Sequence, residues 1–485
     1  MTDLAWLSGK QLAARIRRGE LSSLEALDAT LARMERLNPA INAIVTTDVP
    51  RARRQAKAAD RARAKGAKLG PLHGVPMTVK ESFDVAGMAT TVGFMEQRGN
   101  RPTQDALVVQ RLAAAGAIVF GKTNLPVAMA DWQSFNPVYG TTNNPWDPTR
   151  VPGGSSGGSA AALAAGLTPL EFGSDIGASI RNPAHYCGVF GHKPTIGIVP
   201  SRGHGLPPYV HDRDIAACGP LARTAADLRL LLEATAGADP DWQAGWQVAL
   251  PASKRRTLKG LRVGVLLSAP TADVDRGVQD VLATLARGMK SAGAKVDLAP
   301  APPFDLADNH NTYFMLLRAA TSASVTDAQV AAAAKRRPKV RDDDWSYTAM
   351  LARAWTLSQR DWHHWNARRM AMTEGWMRWF ERYDVMLCPT ASTTAFPHMQ
   401  TGERWERMID VNGVPQPTTT QMFWAGFGAV CGLPATVMPA GLAADGLPVG
   451  AQLIGTRGAD LDLLAIAGLL EREGCVGFRA PPGYA

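Results

Sequence analysis

Strand-like and helix-like segments alternate from residue 73 onwards, which predicts an α/β protein with a mixed, largely parallel sheet covered by helices. Two further observations agree. No repeat, low-complexity tail or long linker divides the 485 residues, and a hydrophobic share of 46% is that of an ordinary globule. Before the alternation, Leu4 to Leu37 reads as two amphipathic helices. The second opens after Ser22-Ser23 with a carboxylate at Glu25, a cap followed by an acid in the first turn. Residues 51–65 continue as an Ala-rich basic helix. The alternation then runs strand 75–80, helix 105–115, strand 117–120, helix 156–166 and strand 168–174. It resumes as helix 223–235, strand 261–267, helix 275–292 and strand 294–298. Residues 309–382 read as helical, strands 385–388 and 434–438 return to the sheet, and a last helix lies near 460–472.

Composition excludes several classes. No apolar run reaches the roughly 18 residues of a membrane-spanning helix, so no membrane partner is expected. The start, Met1-Thr2-Asp3-Leu4-Ala5-Trp6, lacks the basic-then-apolar pattern of a signal peptide. Five scattered cysteines (187, 218, 388, 431, 475) form no C-x-x-C pair and suit a reducing, cytoplasmic setting. The nine histidines form no H-E-x-x-H, so neither metal nor other cofactor is expected. Net charge is +9, but the densest basic run, Arg51 to Lys68, contains no aromatic residue. It reads as a solvated helix face, not a nucleic-acid platform.

The chemistry concentrates in two glycine-rich turns. One is Gly153-Gly154-Ser155-Ser156-Gly157-Gly158-Ser159, the other Gly173-Ser174-Asp175-Ile176-Gly177-Ala178-Ser179-Ile180-Arg181. Upstream, Gly74-Val75-Pro76-Met77-Thr78-Val79-Lys80 puts a lysine in an apolar strand. A serine attacks only when something takes its proton, and a lysine can do that only when burial keeps it neutral. A lone glycine–serine run is usually a linker. Here it leads into packed apolar sequence and is accompanied by Lys80 and the second turn. Two other motif matches lack their structural context. Gly116 to Thr123 fits the phosphate-loop spacing, but its Ala-Ile-Val-Phe core is itself strand-like and follows a helix. Gly153 to Gly157 fits the nucleophile-elbow spacing, but a loop precedes it, and nothing marks Asp384 or His398 as triad partners.

This constellation resembles the amidase signature family. Lys80 matches its catalytic lysine, Ser155 the bridging serine that follows a cis peptide bond, and Ser179 the acylated nucleophile. Similar segments include Gly121 to Asn124, Cys187 to Thr195, Asp384 to Thr390, and Gly432 to Ala435 through Gly446 to Gly455. Ala178 stands where the family carries a second glycine, and alanine tolerates fewer backbone conformations. The resemblance implies one large α/β domain over residues 1–485. Its parts are N-terminal helices (1–70), a catalytic core (71–300), a helical substrate-side insertion (301–382) and a C-terminal return to the sheet (383–485). It also implies acyl transfer. Neutral Lys80 takes the Ser155 proton, Ser155 takes that of Ser179, Ser179 attacks the carbonyl, and water later releases the acyl group. Backbone N–H groups of Ile176, Gly177, Ala178 and Ser179 are expected to hold the oxyanion, at about 3 kcal/mol per donor.

Glycines 153, 154, 157 and 158 are expected to let the backbone approach substrate, so Gly154 joins the candidate binding residues. Met129, Trp132 and Phe135 lie on the loop before Ser155, and Met129 matches a family position lining the acyl pocket. Trp424 and Phe427 are further candidates. Trp355, Trp362, Trp365, Trp376 and Trp379 recur near one helical face; such periodic aromatics usually pack a core, with a bulky-substrate funnel as the alternative. Three functions compete: a stand-alone hydrolase of an amide, anilide or carbamate preferring apolar or aromatic substrates, the glutamine-hydrolysing subunit of a tRNA-dependent amidotransferase, and a non-catalytic binding protein. The run Asp212-Arg213-Asp214-Ile215-Ala216-Ala217-Cys218-Gly219-Pro220 lacks the Ser-Leu-Asp expected of the second. Intact Lys80, Ser155 and Ser179 speak against the third. The expected partner is a small molecule, and the expected state a monomer or homodimer.

Overall fold

Helix caps fix the N-terminal layer. The computed structural model describes residues 4–206 and 212–484. Ser8 and Ser22 each form a capping box, with Gln11 and Glu25, and open helices Gly9–Arg18 and Ser23–Ile41. Asp48 caps the basic helix Val49–Ala64, which buries only Ala52 and Ala56.

Among the described residues two sheets carry the fold. The smaller is ordered Ile44–Thr47, Ile118–Thr123, Pro76–Lys80, the last two strands parallel. The larger has eight strands: Lys295–Asp297, Arg262–Val265, Val385–Pro389, Pro448–Ile454, Ala435–Leu442, Phe190–Lys193, Ala217–Ala222 and Leu170–Asp175. It is mixed, as expected. Parallel pairing joins Arg262–Val265 to Lys295–Asp297 and to Val385–Pro389. The other neighbours of this sheet pair antiparallel. Strand–helix alternation overstates the parallel share because a crossover helix implies parallel strands only when they are neighbours. Leu170–Asp175 and Phe190–Lys193 point the same way, but Ala217–Ala222 lies between them.

The strands are buried on both faces: Leu170–Asp175, Ala217–Ala222 and Pro448–Ile454 are buried throughout. Behind them, helix Gly157–Ala164 is small-residue and buried at every position. Its tightness is set by backbone contact, since a Cβ on Gly158 would lie 2.4 Å from Asn124 N. The 309–382 region is not one helix. It forms Leu306–Ala320, Asp327–Arg336, Tyr347–Ala354 and Gln359–Arg382, with Ser358 capping the last. No helix among the described residues is long and apolar enough to cross a membrane.

Candidate active site

The Pro76–Lys80 strand ends with its lysine fully buried. Lys80 Nζ is hydrogen-bonded to Ser155 Oγ at 2.6 Å and to Ser174 Oγ at 3.0 Å. Burial drives its pKa down to about 7; Cys218, Asp175 and Glu171 oppose that shift, and Arg213 adds to it. The Gly154–Ser155 peptide bond is cis. Ser155, Ser174 and Ser179 line one cavity of about 210 Å³, with Lys80 buried behind Ser155 and Ser174. No hydrogen bond joins Ser155 Oγ to Ser179 Oγ among the described residues.

The second turn is built by an ion pair. Arg181 donates through Nε and Nη2 to Asp175 at 2.9 and 2.8 Å, both groups being wholly buried. Burial alone would raise the Asp175 carboxyl, but Arg181 holds it below its ordinary range. Arg181 continues to Gln452 Oε1 (2.8 Å) and Ala425 O (2.9 Å), so the turn is anchored to the distant Pro448–Ile454 strand. The following helix starts at Arg181, two residues later than Ser179.

Two aromatic groups fix the peptide planes. Tyr313 OH donates to Ile176 O at 3.0 Å, and Trp132 Nε1 to Gly177 O at 2.7 Å. In a trans peptide the N–H points opposite its C=O. The Ala178 N–H therefore points away from Trp132, and it donates to Asp175 Oδ1 at 3.0 Å. That corrects the expected set of four oxyanion donors, because Ala178 N–H is already engaged. The N–H groups of Ile176, Gly177 and Ser179 carry no hydrogen bond among the described residues. Ala178 has φ +63°, the left-handed region that a glycine enters without cost.

Met129 and Trp132 line the cavity. Four other candidates do not. Gly154 packs against the Asp131–Trp132 backbone, where a Cβ would lie 2.3 Å from Asp131 O. It serves protein packing, not substrate approach. Phe135 sits in a two-residue strand paired with Thr141. Trp424 and Phe427 are fully buried in helix Met422–Ala429 and pack on each other and, through Phe427, on Trp376. Both belong to the core because that helix is apolar all round and buried on every side, which corrects their expected place in the substrate pocket. The tryptophans divide: Trp355 lines the cavity, Trp376 and Trp379 are core, and Trp362 and Trp365 are half-buried against it.

Sequence reading missed Ser174, Cys218, Tyr313, Arg213, Arg318, Arg404 and the Asp131–Arg407 ion pair (2.5 Å) on this cavity or its turn. Only Ser174 carried a signal: in an extended strand it lies on the same face as neighbouring alternate residues. The phosphate-loop match is also resolved. Lys122 is buried inside the Ile118–Thr123 strand and donates to Ala89 O (2.6 Å) and Thr90 Oγ1 (2.8 Å). Asp384 of the rejected triad binds Arg262 (2.7 Å).

Comparison with known proteins agrees over nearly the whole chain. The amidase family model matches residues 25–464. An indoleacetamide hydrolase of Bradyrhizobium diazoefficiens is 35% identical, over 97% of this chain and 87% of that protein. A glutamyl-tRNA(Gln) amidotransferase subunit from Streptomyces coelicolor is 34% identical, over 97% of this chain and 96% of that protein. Among solved structures, a bacterial aryl acylamidase of the amidase signature enzymes family superimposes with a TM-score of 0.82 at 26% identity, over 96% of each chain.

Proposed function

The chain belongs to the amidase signature family, and on that premise we propose that it hydrolyses the C–N bond of an amide, anilide or carbamate through an acyl-enzyme on Ser179. The observation carrying this reading is the Lys80–Ser155 hydrogen bond of 2.6 Å, made by a buried lysine behind the cavity that Ser179 lines. The neutral amine accepts the Ser155 proton while its own N–H holds Ser174 Oγ. Ser155 accepts the proton of Ser179, and Ser179 Oγ attacks the carbonyl. The second link closes when substrate seats Ser179 against Ser155, since catalytic hydrogen bonds tighten in the bound complex. Negative charge on the carbonyl oxygen is met by the N–H groups of Ile176, Gly177 and Ser179. The relay reverses to protonate the departing amine, and water repeats the cycle on the acyl group. Met129 and Trp132, with Leu317, Val325, Tyr347, Trp355, Phe396 and Met422, give the cavity an apolar wall suited to an aromatic or long acyl group. The enzyme acts on a small molecule in the cytoplasm, without nucleic acid or membrane, as a monomer or homodimer.

The test is labelling with a fluorophosphonate followed by mass mapping. An adduct on Ser179 that Lys80→Met abolishes is expected; an adduct on Ser155, or none, overturns the assignment. The similarity to the amidotransferase protein keeps a second reading in view. Comparing kcat/KM for acetamide, glutamine, a long-chain amide, an anilide and an aryl carbamate decides it. Equal or better efficiency on acetamide or glutamine overturns the apolar preference.

A further inference from the structure

Besides its apolar residues, the cavity wall carries guanidinium groups, two of which have no carboxylate partner among the described residues. Arg213, Arg318, Arg404 and Arg407 line it, as do Asp131 and Asp175. Asp131 pairs with Arg407, and Asp175 pairs with the buried Arg181. Arg318 is only 7% exposed, yet no carboxylate of the described residues lies within ion-pair distance of it. Its Nη2 donates to Tyr347 OH at 2.6 Å, and its guanidinium lies 5.0 Å from the Phe314 ring centre and 5.3 Å from that of Tyr347. Its Nε is buried with no hydrogen-bond partner among the described residues. Burial pushes its pKa down to about 10, and Arg404 adds to that shift. Arg404 stands over the same Tyr347 ring at 5.8 Å, donates to Ala130 O, and also lacks a carboxylate among the described residues. Two guanidinium groups thus converge on one aromatic ring at the cavity wall.

Ring faces offset part of the cost of burying a cation, but they leave the guanidinium fork without an anion. A planar carboxylate is the group that a fork binds with two parallel hydrogen bonds. Arg318 lies five residues beyond Tyr313 on helix Leu306–Ala320, about 7.5 Å along its axis. Tyr313 touches the turn that holds Ser179, so the cationic end is set back from the reacting carbonyl by several bonds.

Resting on the amidase reading of this cavity, we propose that its substrate carries a carboxylate remote from the scissile C–N bond, and that Arg318, with Tyr347 and Arg404, binds it. The preferred substrate is then an amide with an apolar body and an anionic end.

Two substrate pairs test this: the 4-nitroanilides of glutaric and pentanoic acid place or omit the charge on the acyl side, and 4-acetamidobenzoate and 4-methylacetanilide on the amine side. The wild-type enzyme is expected to favour the carboxylate member of one pair by about tenfold to a hundredfold in kcat/KM. Arg318→Met should collapse that ratio, chiefly through KM, and Arg318→Lys should restore part of it. Indifference of the wild type in both pairs, or an unchanged ratio in folded Arg318→Met, overturns the proposal. Calorimetric binding of benzoate and benzamide to the wild type keeps the test independent of turnover and of how the variants fold. Tighter binding of benzoate, weakened by Arg404→Ala, supports it; equal binding overturns it. Should no amide be hydrolysed and Ser179 stay unlabelled, the amidase reading fails by itself, and the benzoate comparison still decides this one.

Discussion

A lysine buried without an acid beside its amine is expensive, and the relay proposed for Lys80 needs the neutral amine that such burial yields. Its pKa near 7, against an ordinary 10.5, means that between those values the unfolded chain binds a proton the fold does not. Stability therefore rises with pH across that window and loses this contribution as pH falls to about 7. A shift of this size is worth about 4–5 kcal/mol. The hydrogen bonds to Ser155 and Ser174 return about 2 kcal/mol of it. Lys80→Met is thus expected to raise the melting temperature near neutral pH, to flatten its rise with pH, and to lower turnover by several orders of magnitude. Thermal melts between pH 7 and 10, with rates on the same samples, check all three. In the wild type, kcat/KM should fall about tenfold per pH unit below about 7 as the amine becomes protonated. A flat profile down to pH 5 would mean that Lys80 is not the base.

At the scale of elements, the turn from Asp175 to Arg181 stands on one buried ion pair. Asp175→Asn leaves the Arg181 cation buried and uncompensated, at about 3–5 kcal/mol, and turns one of the two oxygens that accept from Ala178, Ile180 and Arg181 into a donor. Loss of stability together with loss of turnover is expected, read by denaturant unfolding and by rate. The aromatic helices divide differently. Trp376→Ala opens a core hole and should cost about 3–5 kcal/mol. Trp355→Ala removes a cavity wall and should raise KM for an anilide with little change in the melting temperature. Equal effects of the two variants on stability would remove the distinction. These elements also mark how far the sequence was legible. Helix starts were readable because Ser22 and Glu25 sit at cap spacing, and the meeting of Lys80, Ser155 and Ser179 at one cavity because their motifs are local. The Met408–Val411 and Val414–Pro417 hairpin was readable in principle from Asn412-Gly413, both at positive φ. Tyr313 and Arg318 were not, because a helical residue's spacing says only which face it lies on, not which turn that face meets, and Arg404 was not, because it sits in an irregular turn with no periodicity to read.

At the scale of the whole molecule, long-range contacts knit the sequence segments into one body. Leu27 and Leu31 of the N-terminal helices share a core with Phe120, Leu163, Leu221 and Val437. Arg33 reaches both Ala165 O (3.0 Å) and Tyr484 O (2.5 Å), joining the first helices to the last residues. The 301–382 region is tied in by Tyr313 to Ile176 and by Arg369 to Asp214 (2.6 Å). Sheet order was the part least visible in sequence, since pairing partners such as Ala435–Leu442 and Phe190–Lys193 lie far apart along the chain. Chains of this length often unfold in steps, domain by domain. Here one core cluster takes residues from all of 1–70, 71–300, 301–382 and 383–485, among them Leu12, Val79, Tyr313 and Val385. We therefore expect a single calorimetric transition whose van't Hoff and calorimetric enthalpies agree. A chain beginning at residue 44 should be insoluble, because it exposes the Phe120 and Leu163 surfaces that Leu27 and Leu31 cover. Two resolved transitions, or a soluble and active chain from residue 44, would show instead that the N-terminal helices are an appendage and that the cavity beside Ser155 and Ser179 is built by the rest alone.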